Sequence, residues 1–496
     1  MSRYSRSALL ATIQLSAEST VPKFHQLSSQ LREAILSGQL ETGTRLPSTR
    51  ELAQSLSVSR LTVQNSYEQL ISEGYLAAHT GSGTFVAQLS AHDLSPNRPD
   101  TSQFNTDEHL LARLSDRGQA LQSGYQIAHH LKSPRAFHAG TPALDHVPVQ
   151  TWTRISGKHW RRARSPMLNY GDPHGYMPLR EAIANYIRDA RGVKCDADQV
   201  LVVSGAQQAF TLCAWALLNE GDTAWIEDPG HIAARKVLSG AGARIIPVPL
   251  DSEGIDIEAG LKKDPDPGMI MVTPSHQHPL GLTTSLSRRL ELLQLAYRTG
   301  AWILEDDYDS EFRFNGRPLT AMQGIDEFNH TIYIGTFSKV LFPSLRLAYL
   351  VVPKALVSSF ANVYSLLDRA APTMPQAVLA DFIREGYFTA HIRKMRNLYA
   401  ERQQALLEAM AAHCQGLVRP EPTDSGMHLI GWLPDHLDDR AVARRASEHD
   451  VDVLPLSIYS MEAQQPPGLL LGFSCVDPVD MPDAARRLAE AIRSLL

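Results

Sequence analysis

A chain of 496 residues is long enough for about two to four domains, and 43% hydrophobic with 20% charged residues is the balance of a soluble globular protein. A net charge of −6 excludes a global field toward polyanions or membranes, no apolar run reaches the roughly 18 residues of a span, and the N-terminus lacks the apolar stretch of a signal peptide. Four widely spaced cysteines without a CxxC (Cys195, Cys213, Cys414, Cys475) predict buried thiols in a reducing cytoplasm, with neither disulfides nor a metal site.

Apolar residues at 24, 27, 31, 34 and 35 predict a helix over Phe24–Ser37, closed by Gly38. Ser48 with Glu51 three residues on is a capping box for a second helix that ends near Leu56. Ser57 and Val58 make a turn, and Ser59 caps a third helix with Val63, Tyr67, Leu70 and Ile71 on its apolar side and Gly74 at its end. Two short strands, 75–78 and 84–86, then flank a tip at 79–83 that contains Gly81 and Gly83. Three helices and a hairpin outline a winged helix-turn-helix, an α+β DNA reader. Such a reader contacts DNA through the N-terminal residues of its recognition helix, which nominates Ser59, Arg60, Thr62 and Gln64, with Ser48 and Arg50 from the preceding helix and Gly81 and Gly83 in the wing. From Ser16 to Gln88 there are five Lys/Arg and six Asp/Glu, so binding must rest on a few placed arginines, helix N-termini and a second subunit.

Residues 88–136 show little periodicity and predict a linker with one short helix near 107–122. From about 137 apolar strands (199–203, 224–226, 269–272, 302–304, 331–334) alternate with helical stretches such as 287–299, which predicts a mainly parallel sheet covered on both faces. Weaker strands near 427–432 and 469–473 suggest a smaller α/β subdomain.

Three features of this α/β region carry chemistry. Ser204-Gly205-Ala206-Gln207 joins a strand to a helix N-terminus, an anion site. Glu305-Asp306-Asp307-Tyr308 follows an apolar strand, where the ligand crevice of an open α/β sheet lies. Lys339 has Thr336 and Ser338 before it and Arg346 after it: a nucleophilic amine with hydroxyl and guanidinium groups suited to a phosphate. Each has a plain structural reading alone, as a βα turn, a solvated acidic loop and a surface lysine.

In this order, and with Thr273-Pro274-Ser275-His276-Gln277, the 305–312 run and His391-Ile392-Arg393-Lys394-Met395-Arg396 with Tyr399, the chain resembles MocR/GabR-type regulators. These join a GntR-type winged helix to a fold-type I pyridoxal phosphate (PLP) transferase-like domain. The resemblance implies a multidomain chain: reader at 16–87, linker at 88–136, effector domain at 137–496. It implies Lys339 as the Schiff-base lysine, Asp306 against the pyridine nitrogen and Tyr308 on the 3′ oxygen. It gives the phosphate to Ala206 and Gln207 backbone groups, Thr336, Ser338 and Arg346, aided by Tyr170 from a partner subunit, hence a homodimer.

The chain departs from that pattern at His231, where an aromatic stacks on the ring; at His278, where an asparagine tunes the 3′ oxygen; and in Gly468–Phe473, which lacks the arginine that clamps a substrate carboxylate. A guanidinium clamp is not replaced by leucine, so ordinary transamination is disfavoured. The leading expectation is a cytoplasmic regulator that binds double-stranded DNA at two half-sites and senses PLP or an amine adduct of it. The competing ones are an active aminotransferase with an accessory N-terminal domain, and a DNA-binding protein whose large domain only dimerises.

Overall fold

Ser48 and Ser59 start helices as their neighbours dictate. The computed structural model describes residues 13–16, 19–79, 82–88, 114–122, 135–314, 316 and 319–496, in two units, Met1–Ser115 and Asp116–Leu496. In the first, helix α1 (Lys23–Leu36) buries Leu27, Leu31 and Ile35 along one stripe. Helix α2 (Thr49–Ser55) carries the expected capping box: Ser48 Oγ accepts the Glu51 N–H at 3.2 Å, and the Glu51 carboxylate accepts the Ser48 N–H at 2.9 Å. Helix α3 (Arg60–Ser72) begins at Ser59, whose Oγ accepts the Thr62 N–H at 3.1 Å.

Strands β1 (Leu76–His79) and β2 (Gly83–Val86) pair antiparallel, and Arg45 bridges to Phe85 beside them. Leu31, Leu52, Val63, Tyr67, Leu70, Leu76 and Val86 close a common core. Residues 13–16 lie along α1, where Gln30 and Gln14 exchange two amide bonds (3.0 and 2.7 Å) and Gln26 and Ser16 two more (3.0 and 3.2 Å). Four-residue spacing puts both glutamines on one helix face.

The expected linker helix is α4 (Asp116–Gln122), which belongs to the second unit. Leu121 packs on Gly240, its δ-carbons 3.2 Å from where a Cβ would stand.

An eight-stranded sheet organises the second unit, in the order β3-β10-β9-β8-β7-β4-β5-β6. These are β3 (Val200–Val203), β4 (Thr223–Asp228), β5 (Arg244–Asp251), β6 (Gly254–Ile255), β7 (Met269–Val272), β8 (Trp302–Asp307), β9 (Thr331–Thr336) and β10 (Ala348–Val351). Strands β4, β5, β7, β8 and β9 are parallel; β10 runs against β9 and β3, and β6 against β5. The sheet is thus mainly parallel, and strands such as β3 and β7 read as unbroken apolar runs because both faces of the sheet are covered. Periodicity missed β5, which contains Pro247 and Pro249. Its β6 neighbour pairs only at Leu250 and Asp251, so the prolines sit where a missing N–H costs little.

The smaller subdomain is an antiparallel sheet, β11 (Arg419–Glu421), β12 (His428–Trp432), β14 (Gly468–Gly472) and β13 (Leu454–Pro455) in that order. The helices Tyr387–His413 and Met481–Arg493 share a core with one of its faces.

Candidate functional site

Strand β8 ends in three consecutive acids, and period-two alternation separates their roles. Glu305 accepts the backbone N–H groups of Met322 (2.7 Å) and Gln323 (2.9 Å). Asp307 accepts from Arg191 Nε at 2.8 Å and the Tyr333 hydroxyl at 2.6 Å, all within the buried interior. Asp306 faces the other way, buried, with its Oδ1 lacking any hydrogen-bond partner. Burial, reinforced by Asp307, Asp309 and Glu227, pushes its carboxyl up to about 8. A buried carboxylate with an empty lone pair is what a protonated ring nitrogen requires.

Lys339 follows β9. Its Nζ donates to the Gly140 carbonyl at 2.8 Å, and Gly140 (φ +77°) leaves only 2.9 Å between Nζ and a would-be Cβ. Burial pushes the ammonium down while Asp309 and Asp306 pull it back up. Ser338 Oγ is buried and unpartnered, and Thr336 Oγ1 accepts the Ser338 N–H at 3.2 Å. The Arg346 guanidinium lies against Gly205 (φ +131°), its Nη2 3.1 Å from a Cβ placed there. The helix Ala206–Leu217 begins just after, with no side chain capping it. The uncapped N-terminus, the unpartnered hydroxyl and the guanidinium form a cradle for a phosphate. The residues present therefore fit PLP.

Tyr308 enters through a small network. Its hydroxyl lies 3.2 Å from His276 Nδ1, which also sits 3.0 Å from Asp309 Oδ2. Gly426 permits this: a Cβ there would fall 2.1 Å from the imidazole. His278 centres a ring cluster, 5.4 Å from His231, 5.7 Å from Tyr308, 5.6 Å from His428 and 5.1 Å from Tyr459 between centroids. His231 also caps the helix Ile232–Gly240, its Nδ1 accepting the Ala234 N–H at 3.0 Å. Burial, then the Lys339 charge, lowers it to about 4. Burial likewise brings His428 to about 3 and His278 well below the ordinary value.

The fold thus gathers Lys339, Asp306, Tyr308, His231 and His278, and sets Arg346 against the turn before Ala206–Gln207, beside the strand end that carries Thr336 and leads to Ser338. Sequence reasoning assigned no role to His276, Asp309, His428 or Tyr459. The first two lie inside the motifs that carried the resemblance; the last two come from the small subdomain, and no local pattern announces them. Tyr170 stands apart, 76% exposed, with the Arg369 guanidinium 4.4 Å over its ring.

In the first unit Arg50, Ser59, Arg60 and Gln64 are exposed, opposite the buried Val63, Tyr67 and Leu70. Ser48 and Ser59 spend their oxygens on caps, and Thr62 Oγ1 lies 2.8 Å from Ser59 Oγ. Arg60 Nε donates to Thr49 Oγ1 at 3.3 Å, which ties α3 to α2, and Gln64 donates to Glu68 at 3.0 Å. Gly83 (φ +110°) packs on the Arg45 side chain, 2.9 Å from a would-be Cβ. Gly81 lies outside the described residues.

Fold and crevice define a class I and II aminotransferase-type domain whose cofactor is PLP, joined to a winged-helix reader. The family model for aminotransferase class I and II matches residues 137–488, and that for bacterial regulatory proteins of the gntR family matches 24–86. The chain is 40% identical over 481 residues (97% of this chain, 96% of the other) to the "Probable rhizopine catabolism regulatory protein MocR" of Rhizobium meliloti. It is 29% identical over 455 residues (91% and 92%) to the pyridoxine biosynthesis transcriptional regulator PdxR of Corynebacterium glutamicum. Among solved structures, α-aminoadipate aminotransferase LysN of Thermus thermophilus, complexed with N-(5'-phosphopyridoxyl)-L-leucine, superposes with a TM-score of 0.71 at 27% identity, over 78% of this chain and 98% of that one. The chain belongs to the MocR-type family, GntR-type transcription regulators that carry an aminotransferase domain. It is a DNA-binding regulator, and no helix among the described residues is long and apolar enough to cross a membrane.

Proposed function

We propose that the chain acts in the cytoplasm as a homodimer on two operator half-sites, and that its crevice is the sensor: binding of PLP, or of a small amine beside it, changes DNA affinity. The carrying observation is the division of labour on β8, where Glu305 and Asp307 are hydrogen-bonded into the scaffold and Asp306 alone of the three makes no side-chain hydrogen bond. When bound, the cofactor supplies an electrophilic carbon toward amines.

The chain's residues do the rest. Lys339 holds the cofactor covalently. Asp306 keeps the ring nitrogen protonated, and Tyr308, steadied by His276 and Asp309, serves the 3′ oxygen. Ala206 and Gln207 N–H groups, Thr336, Ser338 and Arg346 take the phosphate, with Tyr170 of the partner subunit completing it. The exposure of Tyr170 within one chain supports that assembly. His231 and His278 line the ring's surroundings.

In the reader (16–87), Arg60 and Arg50 are the permanent cations beside Ser48, Ser59, Thr62 and Gln64, and the wing with Gly81 and Gly83 reaches a phosphate. The length of the linker expected at 88–136 is compatible with two states of the dimer. Linkage supplies the switch: a ligand biases DNA binding only if it binds two arrangements with different affinity. A working aminotransferase is the rival reading, and turnover of amino and keto acids distinguishes it. Sequencing of DNA captured by the purified protein, followed by gel shifts on the captured sites with and without PLP, tests the proposal. Equal affinity in every cofactor and amine state would refute it.

A further inference from the structure

Which amine reaches Lys339 is decided by the wall that faces it. In the small sheet Leu429, Leu469 and Leu471 enter the core shared with the long helices. The alternate residues His428, Ile430 and Leu470 therefore turn the opposite way. Leu470 and Ile430 pack with Ile232, Leu456 and Tyr459, and the Tyr459 ring stands 5.1 Å from that of His278. The wall is aliphatic behind, with imidazole and phenol in front.

Those imidazoles offer hydrogen bonds without fixed charge. His231 Nδ1 is spent on the Ala234 N–H, and His428 Nε2 stands 3.3 Å from the Pro279 carbonyl. Burial lowers His231, His278 and His428 and so favours their neutral forms. The fully buried arginines among the described residues are committed elsewhere. Arg180 donates to the Val200 carbonyl at 2.9 Å, Arg191 to Asp307, Arg289 to the Thr284 and Pro274 carbonyls at 3.0 and 2.8 Å, and Arg402 to Asp145 at 2.7 Å. Arg346 is placed against the phosphate turn. A carboxylate brought to this wall would lose its water and meet none of these guanidinium groups as a counter-charge.

We infer that the small molecule admitted beside Lys339 is a primary amine with no carboxylate next to the amine, its remainder held by the neutral imidazoles that stand in front of the aliphatic residues packed around Leu470. This rests on the sensor reading of the crevice.

The test is calorimetric titration of the PLP-loaded protein with matched pairs that differ only in the carboxylate: 2-aminoethanol against serine, tyramine against tyrosine, isobutylamine against valine. The amine of each pair should bind at least about tenfold tighter, a difference of about 1.4 kcal/mol. Leu470→Arg should narrow or reverse that ratio. The wild-type comparison decides the matter even if the variant does not fold. An amino acid that equals or beats its amine, or failure of every member of every pair to bind, overturns the inference while the sensor reading stands. A purified protein without the visible absorbance of lysine-bound cofactor would instead sink the sensor reading, and this inference with it.

Discussion

Asp306 and Asp307 are adjacent in sequence, and exchanging each for asparagine should have opposite consequences. Asp306→Asn removes the acid that has no protein partner. Losing a charge-assisted bond to the ring nitrogen costs about 1.5–3 kcal/mol, so PLP should bind roughly 10- to 160-fold more weakly. The cofactor-free protein should not suffer. Its Asp306 carboxyl is pushed up to about 8, above the unfolded value of about 3.9. The folded state holds that proton more tightly, so stability is lost as pH rises from about 4 to about 8. Asparagine cannot ionise, so the variant should match or exceed wild-type stability at pH 8. Asp307→Asn instead strands the buried Arg191 and should cost about 3–5 kcal/mol of stability with or without cofactor. Absorbance titration of PLP and thermal unfolding of the cofactor-free variants at pH 5 and 8 measure both effects. Unchanged PLP affinity in Asp306→Asn, or a stable Asp307→Asn with a selective PLP defect, would refute the assignment.

Lys339→Ala should abolish borohydride-fixable cofactor and leave a folded protein that still shifts DNA but no longer answers to PLP; covalent trapping in that variant would move the lysine's role elsewhere. Arg60→Ala should weaken operator binding by about 1–3 kcal/mol if the contact is bidentate to guanine, with the cofactor spectrum unaltered; an unchanged gel shift would exclude Arg60 from the DNA contact. Ser48→Ala breaks the capping box of α2 and should destabilise the reader by about 0.5–2 kcal/mol, visible as an earlier first transition in calorimetry with PLP affinity unmoved.

Much of this protein was written locally. Ser48 with Glu51 and Ser59 before α3 specify helix starts because a cap needs only its own next three residues. The apolar runs of β3 and β7 and the motif around Lys339 are likewise legible along the chain. What the sequence could not decide was which residues face one another. Three acids end β8, and only pairing with β9 and packing on Arg191 determine that Asp306 is the one turned to the crevice. Pro247 and Pro249 hid β5, because whether a strand tolerates a missing N–H depends on its neighbour. His428, Tyr459 and Leu470 lie far along the chain from the crevice motifs they join, and the small sheet's register alone turns His428 and Leu470 toward it. Caps and periods are set by interactions within a few residues. The identity of a strand's exposed face is set by whatever covers the other one, and that is a property of the tertiary fold.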